Sequence, residues 1–211
     1  AQQRINRLRT INTDWNDILF RNALTQEYNM SIAGGGDKSD YYTSVGYNDE
    51  QGNVKGVGNT RYNITLKTNY QVNKLLKVGA SVYANERKQT TYLTDSNGFT
   101  NPVYYSRLAN PYFTPYDEHG NYNYDTNVQG KEDSSLNFNI FEERANSNTK
   151  RRDRSMMAIL NAELRLTDYL KITSQFGLQE DSYSLSKYAN ENTYAMRKEK
   201  LFTEYVGADG V

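Results

Sequence analysis

Residues 61–72, RYNITLKTNYQV, alternate almost without a break. Tyr62, Ile64, Leu66, Tyr70 and Val72 are interleaved with Arg61, Asn63, Thr65, Lys67, Asn69 and Gln71, and only Thr68 weakens the apolar set. Side chains on a strand project to opposite faces with period two, so this stretch predicts a strand with one greasy, tyrosine-tipped face and one charged, amide-rich face. LKVGASVYAN repeats the pattern, with Leu76, Val78, Ala80, Val82 and Ala84 on one face and Lys77, Ser81, Tyr83, Asn85 and Arg87 on the other. Upstream, Tyr28, Met30 and Ile32 mark a first strand, and Tyr41, Thr43, Val45 and Tyr47 a second. Downstream, MMAILNAELRLT carries Met156, Ala158, Leu160, Ala162, Leu164 and Leu166 opposite Asn161, Glu163 and Arg165. LKITSQFGLQEDSYS then sets Leu170, Ile172, Phe176 and Leu178 against Lys171, Thr173, Gln175 and Gln179, which makes six strands.

The connections have two lengths. Strands 1 and 2, 3 and 4, and 5 and 6 are joined by short turns near residues 34–39, 73–75 and 167–169, whereas strands 2 and 3 share a medium loop and strands 4 and 5 one of more than fifty residues. Alternating short and long connections between antiparallel strands is how outer-membrane barrels are built, with short periplasmic turns and long extracellular loops. The expected organisation is a leading loop segment at 1–26, strands 1–4 within 27–92, a long extracellular loop at 93–150, and strands 5 and 6 within 151–186. Residues 187–211 are a strand end or the start of a further loop, and both chain ends fall on the extracellular side. Six strands are fewer than the about eight of the smallest barrels, so the expectation is a slice of a larger one. In VYYSRLA, a short helix is expected inside the long loop, ending before Pro111.

Composition sharpens this reading. Only 36% of the 211 residues are hydrophobic and the mean hydropathy is -0.89, too polar for a well-filled soluble core, yet 19 tyrosines are the opposite of a disordered composition. Lys plus Arg and Asp plus Glu are 25 each, so no global field attracts nucleic acid. There is no cysteine, which excludes disulfides and thiolate chemistry. The N-terminus lacks the apolar core of a signal peptide, and no run approaches the 18 or more apolar residues of a membrane helix. Membrane strands need only about 9 to 11 alternating residues, so they stay open.

Catalytic signals are poor. His119 is the only histidine and reads as a turn residue in DEHGNY. DSNG at 95–98 and the acidic stretch around Asp117 lack the spacing of a calcium loop, Glu142 and Glu143 are sequence neighbours without sign of convergence, and GGGDKSD is a hairpin turn rather than a phosphate loop. The expectation is a non-enzyme with no metal and no cofactor. The competing architecture is a soluble extracellular carbohydrate-binding β-module, whose sheet would bury its greasy face in a sandwich. Against it, no amphipathic helix is long enough to cover six strands.

Several stretches in order resemble the barrel of the SusC/RagA family of TonB-linked outer-membrane proteins. These are TDWNDILFRNALTQEYNMSIAGG at 13–35, YYTSVGYNDEQGNVKGVGNTRYNITLKTNY at 41–70, LKVGASVYAN, and NPVYYSRLANPYFTPYDEHGNY in the long loop. The resemblance covers about residues 13 to 180, and the family's N-terminal domain, TonB box, plug and later strands have no counterpart here. It implies a fragment of a 22-strand type barrel in the outer membrane of a Bacteroidetes-like Gram-negative cell. It further implies import of oligosaccharides or peptides driven through TonB, with a SusD-like surface lipoprotein as cap, and contact with outer-membrane lipid.

On that reading Tyr62, Ile64, Leu66, Val78, Val82, Leu160, Leu164, Ile172 and Phe176 face lipid, and Lys67, Lys77, Arg87, Glu163, Arg165 and Lys171 face the lumen, where they could pair with plug charges. For any single charge, solvation of a wet face is the simpler account. In the long loop Tyr104, Tyr105, Tyr112, Tyr116, Tyr122 and Tyr124 are candidates for contact with substrate or cap protein, because a flat ring with a hydroxyl suits both; the simpler account is packing within the loop.

Overall fold

The computed structural model describes residues 2–93, 98, 100–125, 138–194 and 196–197. A helix α1 (Gln2–Leu8) and a one-turn helix α2 (Trp15–Leu19) lead into strands β1 (Thr25–Gly35), β2 (Ser39–Gln51), β3 (Gly58–Gln71) and β4 (Leu76–Thr91). The long connection carries α3 (Pro102–Leu108) and α4 (Ile140–Asn146), and β5 (Ser147–Thr167) and β6 (Leu170–Ala189) complete the sheet. All six strands are antiparallel and hydrogen-bonded in sequence order, a plain meander. The expected all-β meander with a short helix in the long connection is what the chain forms. α3 starts where Asn101 accepts from the Val103 amide at 2.9 Å, has Pro102 in its first turn, and ends before Pro111.

The strands run beyond the alternating stretches that revealed them, most of all in β5, whose first nine residues, SNTKRRDRS, are polar on both faces. At the other end the turns are tight. Asn73 bridges β3 and β4 by accepting from the Leu75 and Leu76 amides at 2.8 and 2.9 Å, an Asx turn that sets the hairpin register.

The sheet has no buried core. Among the described residues no second sheet or helix covers its apolar face, which the sandwich of the soluble alternative would require. Met30, Ile32, Leu160, Phe176 and Leu178 are each more than half exposed. Among the described residues the buried hydrophobic side chains are instead Trp15, Leu19, Tyr105, Phe138, Ile140 and Tyr194, which make one cluster at the long-connection end. The segment before β1, the long connection and the residues after β6 therefore share one small core.

Local chemistry explains why they meet. Asp14 caps α2 by accepting from the Asn16 and Asp17 amides, which turns Trp15 inward. Its indole N–H donates to the Asn110 carbonyl at 3.1 Å, and its ring meets Tyr105 edge-on at 5.1 Å and stacks on Phe113 at 5.9 Å. Buried Asn139 caps α4, accepting from the Phe141 and Glu142 amides, while its own amide donates to the carbonyls of Pro115 and Asn123 at 2.6 and 2.7 Å. A buried amide must satisfy each of its groups. Asn139 does so by tying three parts of the loop together. The β2–β3 turn joins the cap through Lys55, whose ammonium donates to the carbonyls of Asp17 and Ile18 at the end of α2, and through Arg144, which bonds the Lys55 carbonyl and lies over the Tyr92 ring at 4.6 Å. Gly56 has φ +89, a left-handed backbone that favours glycine, and a Cβ there would fall 2.5 Å from the Tyr92 hydroxyl and push that ring tip aside.

Candidate functional site

The register places the nine residues expected to face lipid on one face and the six expected to face the lumen on the other. Across the sheet, Val45, Ile64, Ala84 and Met156 share one row, Thr43, Leu66, Val82, Ala158 and Leu178 the next, and Leu76, Leu164 and Ile172 a lower one. Lys67, Lys77, Arg87, Glu163, Arg165 and Lys171 all alternate to the opposite side.

The shape of the apolar face carries more information than its membership. Its upper edge, toward the long connections, sits at the row of Tyr28, Tyr47 and Tyr62 on β1–β3, one row lower at Met156 on β5, and two rows lower at Leu178 on β6. Its lower edge falls in the same sense, from Ile32 on β1 to Tyr41 on β2, Tyr70 on β3 and Leu76 on β4. Both edges therefore slope across the strands. A horizontal apolar slab cut by tilted strands leaves that slope, because in a barrel the strands tilt by about 35–45°. On β5 the band runs from Met156 to Leu166; at about 3.3 Å per residue that is about 33 Å of strand, or about 23–25 Å of height at a 40–45° tilt, matching the about 25 Å apolar band of outer-membrane barrels. Tyrosines mark the edges, and Tyr28, Tyr47 and Tyr62 follow one another with ring centroids 6.3 and 5.2 Å apart.

The opposite face is lined by amides, hydroxyls and charges. Four of the six charges expected there lie together near the short turns. Glu163 accepts from the Lys171 ammonium at 3.1 Å, has Arg165 at 3.8 Å, and lies across from Lys77 in the register. Arg87 donates to Asn59 at 2.8 Å, and Lys67 lies over the Tyr83 ring at 5.5 Å. These charges thus find partners on the wall itself. Gly46 and Gly79 let the side-chain carbonyls of Asn29 and Asn69 lie flat across the neighbouring strand, 2.7 and 2.6 Å from where a Cβ would stand.

The loop tyrosines divide. Tyr105 belongs to the cap core: it packs edge-on against Phe138 at 5.2 Å and donates to Asp125 at 3.2 Å. Burial first, and then the Asp125 carboxylate, push its hydroxyl far above the ordinary tyrosine range. Tyr105 is therefore out of reach of anything outside the chain, a correction to its place among the contact candidates. Tyr124 is half-buried and donates to Glu142 at 3.2 Å. Tyr116 stacks on Tyr122 at 5.7 Å and meets Phe141 at 5.5 Å, while keeping an exposed edge. Tyr104 and Tyr112 are exposed. The outward surface of the cap thus offers Tyr104, Tyr112 and Tyr116.

Glu142 and Glu143 take different directions, toward Tyr124 and Arg197 in one case and the Tyr194 amide at 2.5 Å in the other. His119 sits in an exposed turn that Asp117 organises, accepting from the His119 and Asn121 amides at 2.8 Å each. The Asn121 side-chain amide, which donates to the other carboxylate oxygen at 3.1 Å, and then those backbone amides hold the Asp117 carboxyl below its ordinary range. Asp95, Ser96 and Asn97 of the DSNG turn lie outside the described residues. No helix among the described residues is long and apolar enough to cross a membrane, which leaves crossing by strands untouched.

Comparison with known proteins gives one consistent picture. No protein-family model matches the chain. A TonB-dependent receptor of Formosa agariphila is 36% identical over 66 residues, 31% of this chain and 6% of that receptor. The TonB-dependent receptor SusC of Bacteroides thetaiotaomicron is 46% identical over 48 residues, 23% of this chain and 5% of SusC. A second Formosa agariphila receptor is 30% identical over 113 residues, 53% of this chain and 11% of its own length. Among solved structures, a chain of the RagAB peptide importer in its closed-closed state superposes with a TM-score of 0.66 at 20% identity over 88% of this chain and 21% of its own. A second RagAB peptide transporter structure gives 0.65 over 87% and 20%. At that identity the structural likeness establishes the fold. The chain spans about a tenth or less of the curated relatives and about a fifth of the RagAB chains.

Proposed function

We propose that the chain is a barrel segment of a SusC/RagA-like TonB-dependent receptor and supplies wall and lid to an outer-membrane importer of oligosaccharides or peptides. The observation that carries this is the sloping, tyrosine-edged apolar band, which tilted strands in a bilayer need and a sheet in a soluble sandwich does not. In this reading the band faces lipid, and the amide-rich face with Lys67, Lys77, Arg87, Glu163, Arg165 and Lys171 lines the lumen. Residues 1–26, 93–150 and 187–211 belong to the extracellular side. The open edges of β1 and β6 pair with further strands of the parent barrel, since exposed edges invite other chains.

The cap presents Tyr104, Tyr112 and Tyr116 outward, with Tyr122 and Tyr124 behind them. Rings of this kind stack on sugar faces and pack against protein alike, so they are offered to the substrate and to a SusD-like surface lipoprotein closing the lumen. Coupling to TonB comes through parts of the parent outside this chain, and the wall takes no part in covalent chemistry. The test is an immunoblot of outer-membrane and soluble fractions with antibody raised to this segment. An outer-membrane band several times larger than 24.3 kDa is expected; a soluble band at 24.3 kDa would contradict the reading.

A further inference from the structure

Directly above the upper edge of the apolar band, on the same face, β4 and β5 carry a cluster of charge. One carboxylate, Glu86, is bonded by Arg152 through Nε, by Arg154 through Nε at 3.1 Å, and has the Lys88 ammonium at 3.8 Å. Lys150 continues the cluster upward on β5, and Glu180 on β6 lies one row below Arg154, opposite Met156, so on β4–β6 cations outnumber carboxylates by two. The side chains of Lys88, Arg152 and Arg154 are 50, 43 and 55% exposed. Ion pairs this exposed add little to stability, so sheet stability does not explain a surplus of cations beside a greasy surface.

Geometry supplies a reason. Each guanidinium uses its Nε on Glu86 and bonds no other partner among the described residues, so Glu86 anchors both forks and leaves their terminal N–H groups for a ligand from outside the chain. Arg forks match the oxygens of a phosphate. Below them a groove with Glu86, Arg154 and Glu180 at its charged end and Tyr62, Ile64, Ala84 and Met156 along its apolar side runs from the charges into the apolar band. A cationic rim continuous with an apolar groove is complementary to an amphiphile whose head is a phosphate and whose tails are hydrocarbon.

We infer that Lys88, Arg152 and Arg154, arranged around Glu86, bind the phosphate of a lipid headgroup in the outer leaflet. The inference rests on the band facing lipid. Bound lipid would fix the height of β4–β6 in the membrane and brace the root of the cap, since β5 rises from this cluster to α4.

The test uses the full-length receptor purified in an uncharged detergent and folded as judged by heat-modifiable migration. Binding of phosphorylated lipid A is compared with that of the same lipid dephosphorylated, with inorganic phosphate as competitor. The wild type is expected to prefer the phosphorylated lipid at least tenfold, with the preference shrinking as salt is raised. Lys88→Gln/Arg152→Gln/Arg154→Gln is expected to abolish the preference, and Arg152→Lys/Arg154→Lys to retain part of it. A folded, membrane-derived receptor with no preference, or a preference that survives the triple Gln variant, would overturn the site while leaving the barrel intact. Displacement by inorganic phosphate as readily as by lipid would make it a free-anion site and overturn the lipid assignment. A receptor recovered outside the outer membrane would overturn the barrel reading and this inference together.

Discussion

Tyr104 and Tyr105 show how far adjacent residues of one type can differ in role. The helix α3 turns one ring into the cap core and leaves its neighbour in solvent. Removing the Tyr105 ring should therefore cost the cap about 3–5 kcal/mol, the usual range for truncating a large buried aromatic, whereas Tyr104→Ala and Tyr112→Ala should stay within about 0.5 kcal/mol. Limited proteolysis reads the difference, with rapid nicking near residues 100–125 in Tyr105→Ala and unchanged barrel migration in all three. The turn at 117–121 makes a pH prediction. Its Asp117 carboxyl is held below the ordinary range by the amides of Asn121 and His119, so the charged form is favoured in the folded turn. That contribution is present above the unfolded-state value and is lost as pH falls through the lower folded one. Exchange protection of the His119 and Asn121 amides should hold at neutral pH and fail below the usual carboxylate range, and Asp117→Asn should remove that pH dependence.

At the scale of elements, the strands were legible because their two faces differ in chemistry and so alternate along the chain. Leu66 and Lys67, or Leu160 and Asn161, announce two faces without any knowledge of the partner strand. The first half of β5 was not legible for the same reason: Lys150 to Ser155 are polar on both faces, and only their register with Thr90 to Asn85 makes them strand. α4 does carry a local sequence signal, the Asn139 cap followed three residues later by Glu142, which makes Glu142 part of a helix start rather than one of a carboxylate pair. Face assignment gives the element-scale prediction. Leu66→Arg or Leu160→Arg should cost about 2–4 kcal/mol if near the bilayer midplane, while Lys67→Ala should change stability by less than about 0.5 kcal/mol. Unfolding of the full-length receptor in lipid vesicles measures both.

For the whole molecule, the decisive feature is where apolar surface is buried. The sheet exposes its greasy face, and the buried core sits in the cap, built by Trp15, Tyr105, Phe138 and Tyr194 from segments far apart in sequence. That core could not be read from periodicity, since it draws one or two residues from each of several one- or two-turn helices and loop segments far apart in sequence. Tyr105, Phe138 and Tyr194 are indistinguishable by type from the exposed tyrosines and phenylalanines around them. The slope of the band was equally hidden, because it is a property of register between strands and not of any one strand. It is also the most direct handle on the central claim. The chain has no cysteine, so within it a nitroxide can be placed at each position of β5 from Arg152 to Leu166 in turn in the reconstituted full-length receptor. Collision with lipid-soluble oxygen should rise and fall with period two, with maxima at Met156, Ala158, Leu160, Ala162 and Leu164 and a drop at Arg154; equal access at both faces, or maxima at Asn161 and Glu163, would contradict a membrane wall.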